Sequence, residues 1–293
     1  MGQGTRAQRQ GMRTVLYDRL FKTTLLVLSP LALSLIVVHI LWGMCAAALL
    51  FPWLPALGRD ALLRFWSRVL LVALGIRLQV HHDRAAKPIA ATRGSMLLVN
   101  HVSWADVFVI AAVTPARFVA KADVARWPLL GRFAASVGTV YVERGRRHAI
   151  AHVNHIVAQR LRSGQSIGIF PEGTTTDGSR LLRFHANLVQ AALEAGAPVI
   201  PLALQYQQNG RPSTAAAFIG DMNLIQSIWR IVIAPRLTAH LYWLPAIDSD
   251  ALTRQAIAAR ARTAIATVLE LPEVIAIDEL ADTQPDTPLA TAS

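Results

Sequence analysis

The pattern of apolar residues divides the chain into one long apolar stretch near the N-terminus and a larger region of short runs. Between Thr23 and Leu57 the sequence is apolar apart from a few residues. This run exceeds the ~20 residues that a helix needs to cross a bilayer. Prolines lie near its start and at its end, which predicts a helix over roughly 31–51. The run is too long for the core of a secretory signal, so we interpret it as a retained membrane anchor.

A second apolar helix is predicted over 61–76, and it carries several arginines. Charged residues suit the bilayer interface better than its centre, so we expect this helix to lie along the membrane surface. Residues 1–77 would then form a basic N-terminus and a two-helix membrane segment; a single crossing of the bilayer is the alternative. The arginines and the lysine before the anchor favour a cytoplasmic N-terminus. We therefore expect the catalytic domain on the cytoplasmic face of the inner membrane.

The region 78–272 alternates short β-rich runs with amphipathic stretches, which is typical of an α/β domain. We predict a mixed or mainly parallel sheet flanked by helices. The tail 273–293 has no apolar periodicity, and we expect it to be disordered. Strands are predicted at 78–82, 95–99, 117–120, 139–143, 166–170, 198–205 and 237–244. Helices are predicted at 104–113, 127–136, 146–162, 181–194, 222–233 and 249–269.

Composition narrows the function classes. The net charge is +11 and the mean hydropathy is +0.38, so an anionic membrane or an acidic partner is expected. The arginines are scattered through apolar helices without a basic stripe, and this argues against nucleic acid as a partner. Cys45 is the single cysteine, which excludes an internal disulfide and a cysteine-rich metal site. We expect neither a metal nor a cofactor.

A first polar group follows the predicted strand that ends at residue 99. It contains Asn100, His101, Ser103 and Asp106. Ligands collect outside the carboxyl ends of strands in open α/β sheets. With Asp106 in the first turn of the next helix, its carboxylate can hold one imidazole nitrogen of His101 and direct the other toward a substrate. This pair suits removal of a proton from a hydroxyl that attacks an acyl thioester. A solvent-facing histidine with a local aspartate cap is the structural alternative.

Two further loops follow predicted strands. Glu172, Gly173 and Thr174 come directly after the strand at 166–170, and Gly173 allows the backbone to approach a ligand closely. Arg144 lies at the end of the strand predicted at 139–143, where its guanidinium can bind a phosphate. Taken singly, these residues are also typical of an ordinary turn and of a solvated surface charge.

Taken together, these segments resemble the lysophospholipid acyltransferase family, which contains the 1-acylglycerol-3-phosphate acyltransferases. The resemblance covers 95–204. Its ordered motifs are Asn-His-x4-Asp at 100–106, Val-Glu-Arg-Gly at 142–145, Phe-Pro-Glu-Gly-Thr at 170–174 and Val-Ile-Pro-Leu-Ala at 199–203.

The resemblance implies a role for each motif. His101 would be the general base, Asp106 its orienting partner and Arg144 the ligand of the acceptor phosphate. Glu172 and Gly173 would hold the glycerol part, and Pro201 would line the acyl-donor or acyl-chain side. Residues in the same motifs complete the predicted substrate site: Asn100, Ser103 and Thr174.

One departure from the family bears on the acceptor. Many relatives carry Phe-Lys-x-Gly after Phe-Pro-Glu-Gly-Thr, whereas this chain has His185 in place of the lysine, with Arg180 and Arg183 nearby. The resemblance implies transfer of an acyl group from acyl carrier protein or coenzyme A to a lysolipid hydroxyl, preferably that of 1-acylglycerol 3-phosphate. A lyso-ornithine or other lyso-aminolipid is the alternative acceptor. A non-catalytic lipid-binding protein is a more distant alternative.

A serine hydrolase is a rival interpretation, because Gly164 to Gly168 match Gly-x-Ser-x-Gly around Ser166. A nucleophile elbow places its serine after a strand and before a helix. Here Ser166 is predicted to follow a helix and open a strand, so this match is interpreted as coincidental.

Overall fold

Eight strands form one mixed sheet in the computed structural model, which describes residues 30–88, 93–126, 130–142, 147–248 and 252–272. The strands are β1 (Arg77–His82), β2 (Met96–Val99), β3 (Ala116–Lys121), β4 (Val140–Val142), β5 (Ser166–Ile169), β6 (Val199–Gln208), β7 (Arg211–Pro212) and β8 (Leu237–Trp243). The helices are α1 (Pro30–Leu50), α2 (Ala56–Ala73), α3 (Asp106–Ala111), α4 (Ala122–Ala125), α5 (Leu130–Ser136), α6 (Arg147–Arg162), α7 (Gln190–Ala195), α8 (Leu224–Val232) and α9 (Arg254–Val268).

The strand order across the sheet is β1-β8-β6-β2-β5-β3-β4, with β7 paired to β6. Strands β6, β2, β5, β3 and β4 run parallel, whereas β8 and β7 run antiparallel to β6. All four residues of β2 and of β5 are buried, as expected for central strands covered on both faces. The predicted mixed or mainly parallel sheet is confirmed. Because β2 and β5 are parallel neighbours, the loops that follow them lie at the same edge of the sheet.

Helices cover the sheet on both faces. One apolar core contains residues of α1, α2, α3 and α8, including Trp66, Leu70 and Ile231. The other contains residues of α6, α7 and α9, including Val157 and Ile257. The active-site candidates lie at the end of the sheet where α3 begins, between these two layers.

The apolar helix predicted over 31–51 is confirmed as α1. It has 21 residues, an 18-residue window of it has a mean hydropathy of 2.3, and among the described helices it alone is long and apolar enough to cross a membrane. Helix α1 is held against α2 by a reciprocal pair of contacts. The indole of Trp66 donates to the carbonyl of His39 at 3.1 Å, and the imidazole of His39 lies 3.0 Å from the carbonyl of Trp66. Gly43 permits this close approach, since a Cβ there would lie 2.1 Å from Nε1 of Trp66.

Several predicted helices have different limits, and the helix predicted over 249–269 begins at Arg254. The helix predicted over 61–76 begins at Ala56, directly after Pro55, and ends near Gly75, whose φ of 73° is left-handed. The helix predicted over 181–194 is wrong for most of its length. Only Gln190–Ala195 is helical, because the backbone of the preceding residues bonds to distant groups. The guanidinium of Arg262 donates hydrogen bonds to the carbonyls of Leu181 and Leu182, at 3.0 Å each. The tail 273–293 lies outside the described residues.

Candidate active site

His101 and Asp106 form a hydrogen-bonded pair at the carboxyl end of β2. Nδ1 of His101 lies 2.8 Å from Oδ2 of Asp106. Asp106 is fully buried, while the imidazole keeps 19% of its surface exposed. A buried carboxylate requires several donors to offset the loss of hydration. Backbone N–H groups of Val102 and Ser103 supply two of them, at 2.8 and 2.9 Å.

These contacts set the chemistry of the imidazole. An ionised carboxylate only accepts hydrogen bonds, so the proton of neutral His101 is assigned to Nδ1. Nε2 then carries the free lone pair, and it makes no hydrogen bond to the described part of the chain. A histidine in this state can take a proton from a hydroxyl group, and the adjacent carboxylate stabilises the imidazolium that forms.

Tyr206 supplies the hydrogen-bond donor for the second carboxylate oxygen of Asp106. Its hydroxyl donates to Oδ1 of Asp106 at 2.8 Å, and its side chain is buried on β6. Burial raises the pKa of Tyr206 well above its usual value, and the charge of Asp106 raises this pKa further. The phenol therefore stays protonated and donates at all physiological pH values.

The ring plane of His101 is fixed by an aromatic neighbour. The ring of Phe170 stacks on it at 3.9 Å between centroids and at 14°. Phe118 in turn stacks on Phe170 at 5.8 Å. Since Phe170 directly follows β5 and Phe118 lies on β3, neighbouring parallel strands hold the imidazole in place.

Glu172 joins the two loops at this edge. Its Oε1 accepts from the backbone N–H of His101 at 2.8 Å, and its Oε2 accepts from the N–H of Leu182 at 2.9 Å. The side chain is only 4% exposed. Burial raises the pKa of Glu172, and the two backbone hydrogen bonds partly offset this rise. In this structure Glu172 positions the backbone of the histidine loop.

Comparisons with known proteins find acyltransferases. The family model described as Acyltransferase matches residues 77–205. The lyso-ornithine lipid O-acyltransferase of Pseudomonas aeruginosa is 36% identical over 207 residues, which cover 71% of this chain and 78% of that protein. The 1-acyl-sn-glycerol-3-phosphate acyltransferase of Neisseria meningitidis is 37% identical over 183 residues, covering 62% and 70%.

The chain belongs to the acyltransferase family. A solved structure supports the fold: the 1-acyl-sn-glycerophosphate acyltransferase of Thermotoga maritima superposes with a TM-score of 0.59 at 16% identity, covering 92% of this chain and 98% of that one. The family resemblance predicted from the ordered motifs is thus confirmed, and the protein is an O-acyltransferase.

Two residues predicted to contact the substrate of the acyltransferase make hydrogen bonds within the chain instead. The amide of Asn100 is buried and makes a pair of hydrogen bonds with the backbone of Leu204, at 2.9 and 2.7 Å. Ser103 is also buried, and its hydroxyl accepts from the N–H of Ala105 at 3.3 Å. Both residues hold the loop that carries His101, and direct contact of either with substrate stays a prediction.

The remaining predicted residues are distributed around the loop. Gly173 has a φ of 70°, which favours glycine, and its N–H donates to the carbonyl of Phe170. Thr174 is exposed beside it. Pro201 is buried within β6, paired with Leu98 of β2. Arg144 lies outside the described residues, so its phosphate contact stays a prediction.

The departure from the family motif is at the surface. The side chain of His185 is exposed, and its backbone N–H donates to the carbonyl of Pro171 at 2.9 Å. Arg180 and Arg183 are exposed on the same stretch. The backbone of this stretch therefore lies against the loop that contains Glu172.

The interpretation of the Gly-x-Ser-x-Gly match is also confirmed. Gly164 has a φ of 81° and follows the end of α6. Ser166 is the first residue of β5, where Ile167 pairs with Met96. Ser166 is therefore at the amino edge of the sheet, whereas His101 is at the carboxyl edge.

Proposed function

We propose that this acyltransferase moves a fatty acyl group from an acyl thioester to the free hydroxyl of a lysolipid, preferentially 1-acyl-sn-glycerol 3-phosphate, to give phosphatidic acid. The observation that carries the proposal is the pair of His101 and Asp106, with Nε2 of the histidine left as an acceptor. The names of the relatives from Pseudomonas aeruginosa and Neisseria meningitidis support a lysolipid acceptor.

The reaction proposed here needs no metal or cofactor. Nε2 of His101 takes the proton of the acceptor hydroxyl while that oxygen attacks the thioester carbonyl carbon. The carbonyl π electrons move onto oxygen, giving a tetrahedral intermediate, and its collapse breaks the C–S bond. The imidazolium then returns the proton to the departing sulfur, so the products are an ester and a thiol. Asp106 stabilises the imidazolium between these two transfers.

A second acceptor is supported by specific observations. The relative from Pseudomonas aeruginosa acts, by its name, on lyso-ornithine lipid. His185 also stands where many relatives have a lysine. A lysine contributes a permanent positive charge beside a phosphate, whereas an imidazole carries no permanent charge. Lyso-ornithine lipid is therefore the second candidate acceptor.

The donor is either acyl carrier protein or acyl-coenzyme A. The net charge of +11 favours both the acidic surface of a carrier protein and the phosphates of coenzyme A. The same charge favours binding to an anionic membrane, so it does not distinguish the two donors.

The location proposed for the enzyme is the cytoplasmic face of the inner membrane. Helices α1, α2 and α8 lie on one face of the sheet and share a core. Their outer surfaces expose large apolar side chains, among them Leu49, Val72 and Ile225, of which Ile225 is 74% exposed. Apolar patches of this kind are typical of a surface that contacts lipid. A water-insoluble acceptor would enter from the same side.

The proposal is tested with the full chain purified in detergent micelles. Labelled acyl-coenzyme A and acyl carrier protein would each be supplied with 1-acylglycerol 3-phosphate or with lyso-ornithine lipid, and initial rates would give kcat/KM. We expect His101→Ala to lower kcat/KM by about 10²–10⁴, the usual contribution of a general base. Asp106→Asn should lower it by a similar factor, because an amide stabilises the wrong imidazole tautomer.

His155→Ala serves as the matched control, since His155 is exposed on α6 and its imidazole hydrogen-bonds only to Gln159 among the described residues. Its kcat/KM should equal that of the wild type. Transfer by His101→Ala at the wild-type rate would contradict the proposed base. A kcat/KM at least tenfold higher with lyso-ornithine lipid would replace the preferred acceptor with the second one.

A further inference from the structure

A cavity of about 260 Å³ lies where α1 ends and α2 begins. Phe51, Ala56 and Leu63 form its apolar wall, and Arg117 and Arg160 are among its charged lining residues. Arg117 is the second residue of β3, so the cavity is at the amino edge of the parallel strands. The candidate active site is at the carboxyl edge, and the two sites share no residue.

The cavity and its rim carry an excess of positive charge. Nη2 of Arg117 donates to Oδ1 of Asp60 at 2.6 Å, and Arg93 lies 3.6 Å from Oδ2 of the same carboxylate. Arg59 and Arg160 also line the cavity or its mouth, and within the described ranges neither has a carboxylate inside 4.0 Å. Three arginines therefore line the cavity, and the carboxylate of Asp60 pairs with only one of them, Arg117.

Arg117 and Arg160 line the cavity with N–H groups that could donate to a ligand. Within the described ranges, Nη1 of Arg117 is buried and has no hydrogen-bond partner. The side chain as a whole is 18% exposed. Arg160 donates to the carbonyl of Gly138. Burial and the charge of Arg117 both lower the pKa of Arg160. Two partly desolvated cations thus repel one another, and an anion between them would supply both an acceptor and a compensating charge.

We propose that this cavity binds the phosphate group of an anionic glycerophospholipid, as a site separate from that of the acceptor. Guanidinium groups present paired donors that match phosphate oxygens. The apolar wall formed by the ends of α1 and α2 suits the glycerol and the first acyl carbons. Trp53, in the turn between these helices, is 88% exposed, and tryptophan is enriched at the level of lipid headgroups. The choice of a lipid over a free phosphate rests on the membrane location proposed above.

Binding is measured without any acyl transfer, so a failure of the proposed reaction would not affect the test. The thermal unfolding of the full chain in neutral detergent would be followed by tryptophan fluorescence. Ligands would be inorganic phosphate, with sodium chloride at equal ionic strength, and short-chain phosphatidylglycerol, with phosphatidylcholine of equal chain length. At a ligand concentration ten times Kd, a single site raises Tm by about 3–6 °C for a domain of this size.

Two variants remove one cavity arginine each, Arg59→Gln and Arg160→Gln. Both should weaken phosphatidylglycerol binding by at least about tenfold, the loss expected for one charge-assisted hydrogen bond. Matched controls lie on the same helices: Arg64→Gln on α2 is outside the cavity, and Arg162→Gln on α6 removes a similar bond to the carbonyl of Glu194. These controls should bind as the wild type does.

Each outcome decides the proposal. The expected result is saturable stabilisation by phosphatidylglycerol that inorganic phosphate competes with and that is reduced in the two cavity variants. Stabilisation by phosphate alone would overturn the assignment to a lipid. Stabilisation by phosphatidylglycerol that is equal in all five proteins would place its binding elsewhere and overturn the site. No anion-specific rise in Tm would also overturn it.

Discussion

Replacing Tyr206 by Phe removes a single hydroxyl from the support of Asp106. That hydroxyl donates to Oδ1 at 2.8 Å in a fully buried setting. A hydrogen bond to a charged group contributes about 1.5–3 kcal/mol, and the carboxylate oxygen left behind has no route to water. Tm should therefore fall by about 3–12 °C for a domain of this size.

The same substitution should act on the rate. Oδ2 keeps its three donors, so His101 stays near its position, but the carboxylate is less firmly oriented. We expect kcat to fall by about tenfold, on the scale of one such hydrogen bond, with the KM of donor and acceptor nearly unchanged, since Tyr206 is buried behind Asp106. Rates would be measured at a temperature well below the Tm of the variant.

Two tyrosine controls separate a catalytic effect from a loss of stability. Tyr141→Phe removes a hydroxyl that donates to the carbonyl of Gly131 at 2.9 Å, so it should lower Tm without lowering kcat. Tyr242→Phe removes a hydroxyl with no hydrogen bond to the described residues and should change neither quantity. If Tyr206→Phe kept the wild-type kcat and Tm, the role assigned to this hydrogen bond would be refuted.

Two further substitutions test the packing and the pH dependence. Gly43→Ala places a Cβ 2.1 Å from Nε1 of Trp66 and should destabilise the protein by about 1–3 kcal/mol. Gly58→Ala, whose Cβ meets nothing closer than 3.4 Å, should instead stabilise its helix by about 0.5–1 kcal/mol; equal Tm values for these two variants would contradict the packing. Burial raises the pKa of Glu172 in the folded protein above its ordinary value of 4.5. The contribution of Glu172 to stability is therefore fully present below pH 4.5, and it is lost as the pH rises through the pKa of the folded protein. Glu172→Gln should lack that slope in Tm against pH, and an identical slope in both proteins would count against the assignment.

The local sequence predicted much of the fold, because the spacing of apolar residues and the positions of proline and glycine determine helices and strands at short range. Apolar runs of four residues gave the buried strands β2 and β5, and their limits differ by at most one residue from the prediction. The apolar N-terminal run predicted α1 to within one residue. His101 and Asp106 were predicted as a pair since they are five residues apart and flank the start of one helix, where a side-chain contact is set by local geometry.

Tyr206 was missed because its partner lies 100 residues earlier in the chain. Alternation along β6 places it on the same face as Leu202 and Leu204, and a phenol at a core-facing position requires a hydrogen-bond partner. The sequence does not name that partner. The pairing of β6 with β2 brings the hydroxyl to Asp106, and only the sheet order specifies this.

In the stretch 181–194, by contrast, tertiary hydrogen bonds prevent most of the helix that the local periodicity predicts. Its apolar spacing predicts a helix, yet the N–H of Leu182 bonds to Glu172, and the carbonyls of Leu181 and Leu182 bond to Arg262. Bonds to buried or charged partners replace those of a helix at no loss of hydrogen bonding.

By itself, then, the sequence determined the membrane-type helix, the α/β class and the histidine–aspartate pair, because these depend on contacts within one helical turn or one strand. The tertiary structure decided the strand order, the hydroxyl of Tyr206 behind Asp106 and the use of Glu172 to hold the histidine loop. These contacts join residues 71 to 100 positions apart. Burial makes such contacts strong, and burial is a property of the assembled sheet and helices.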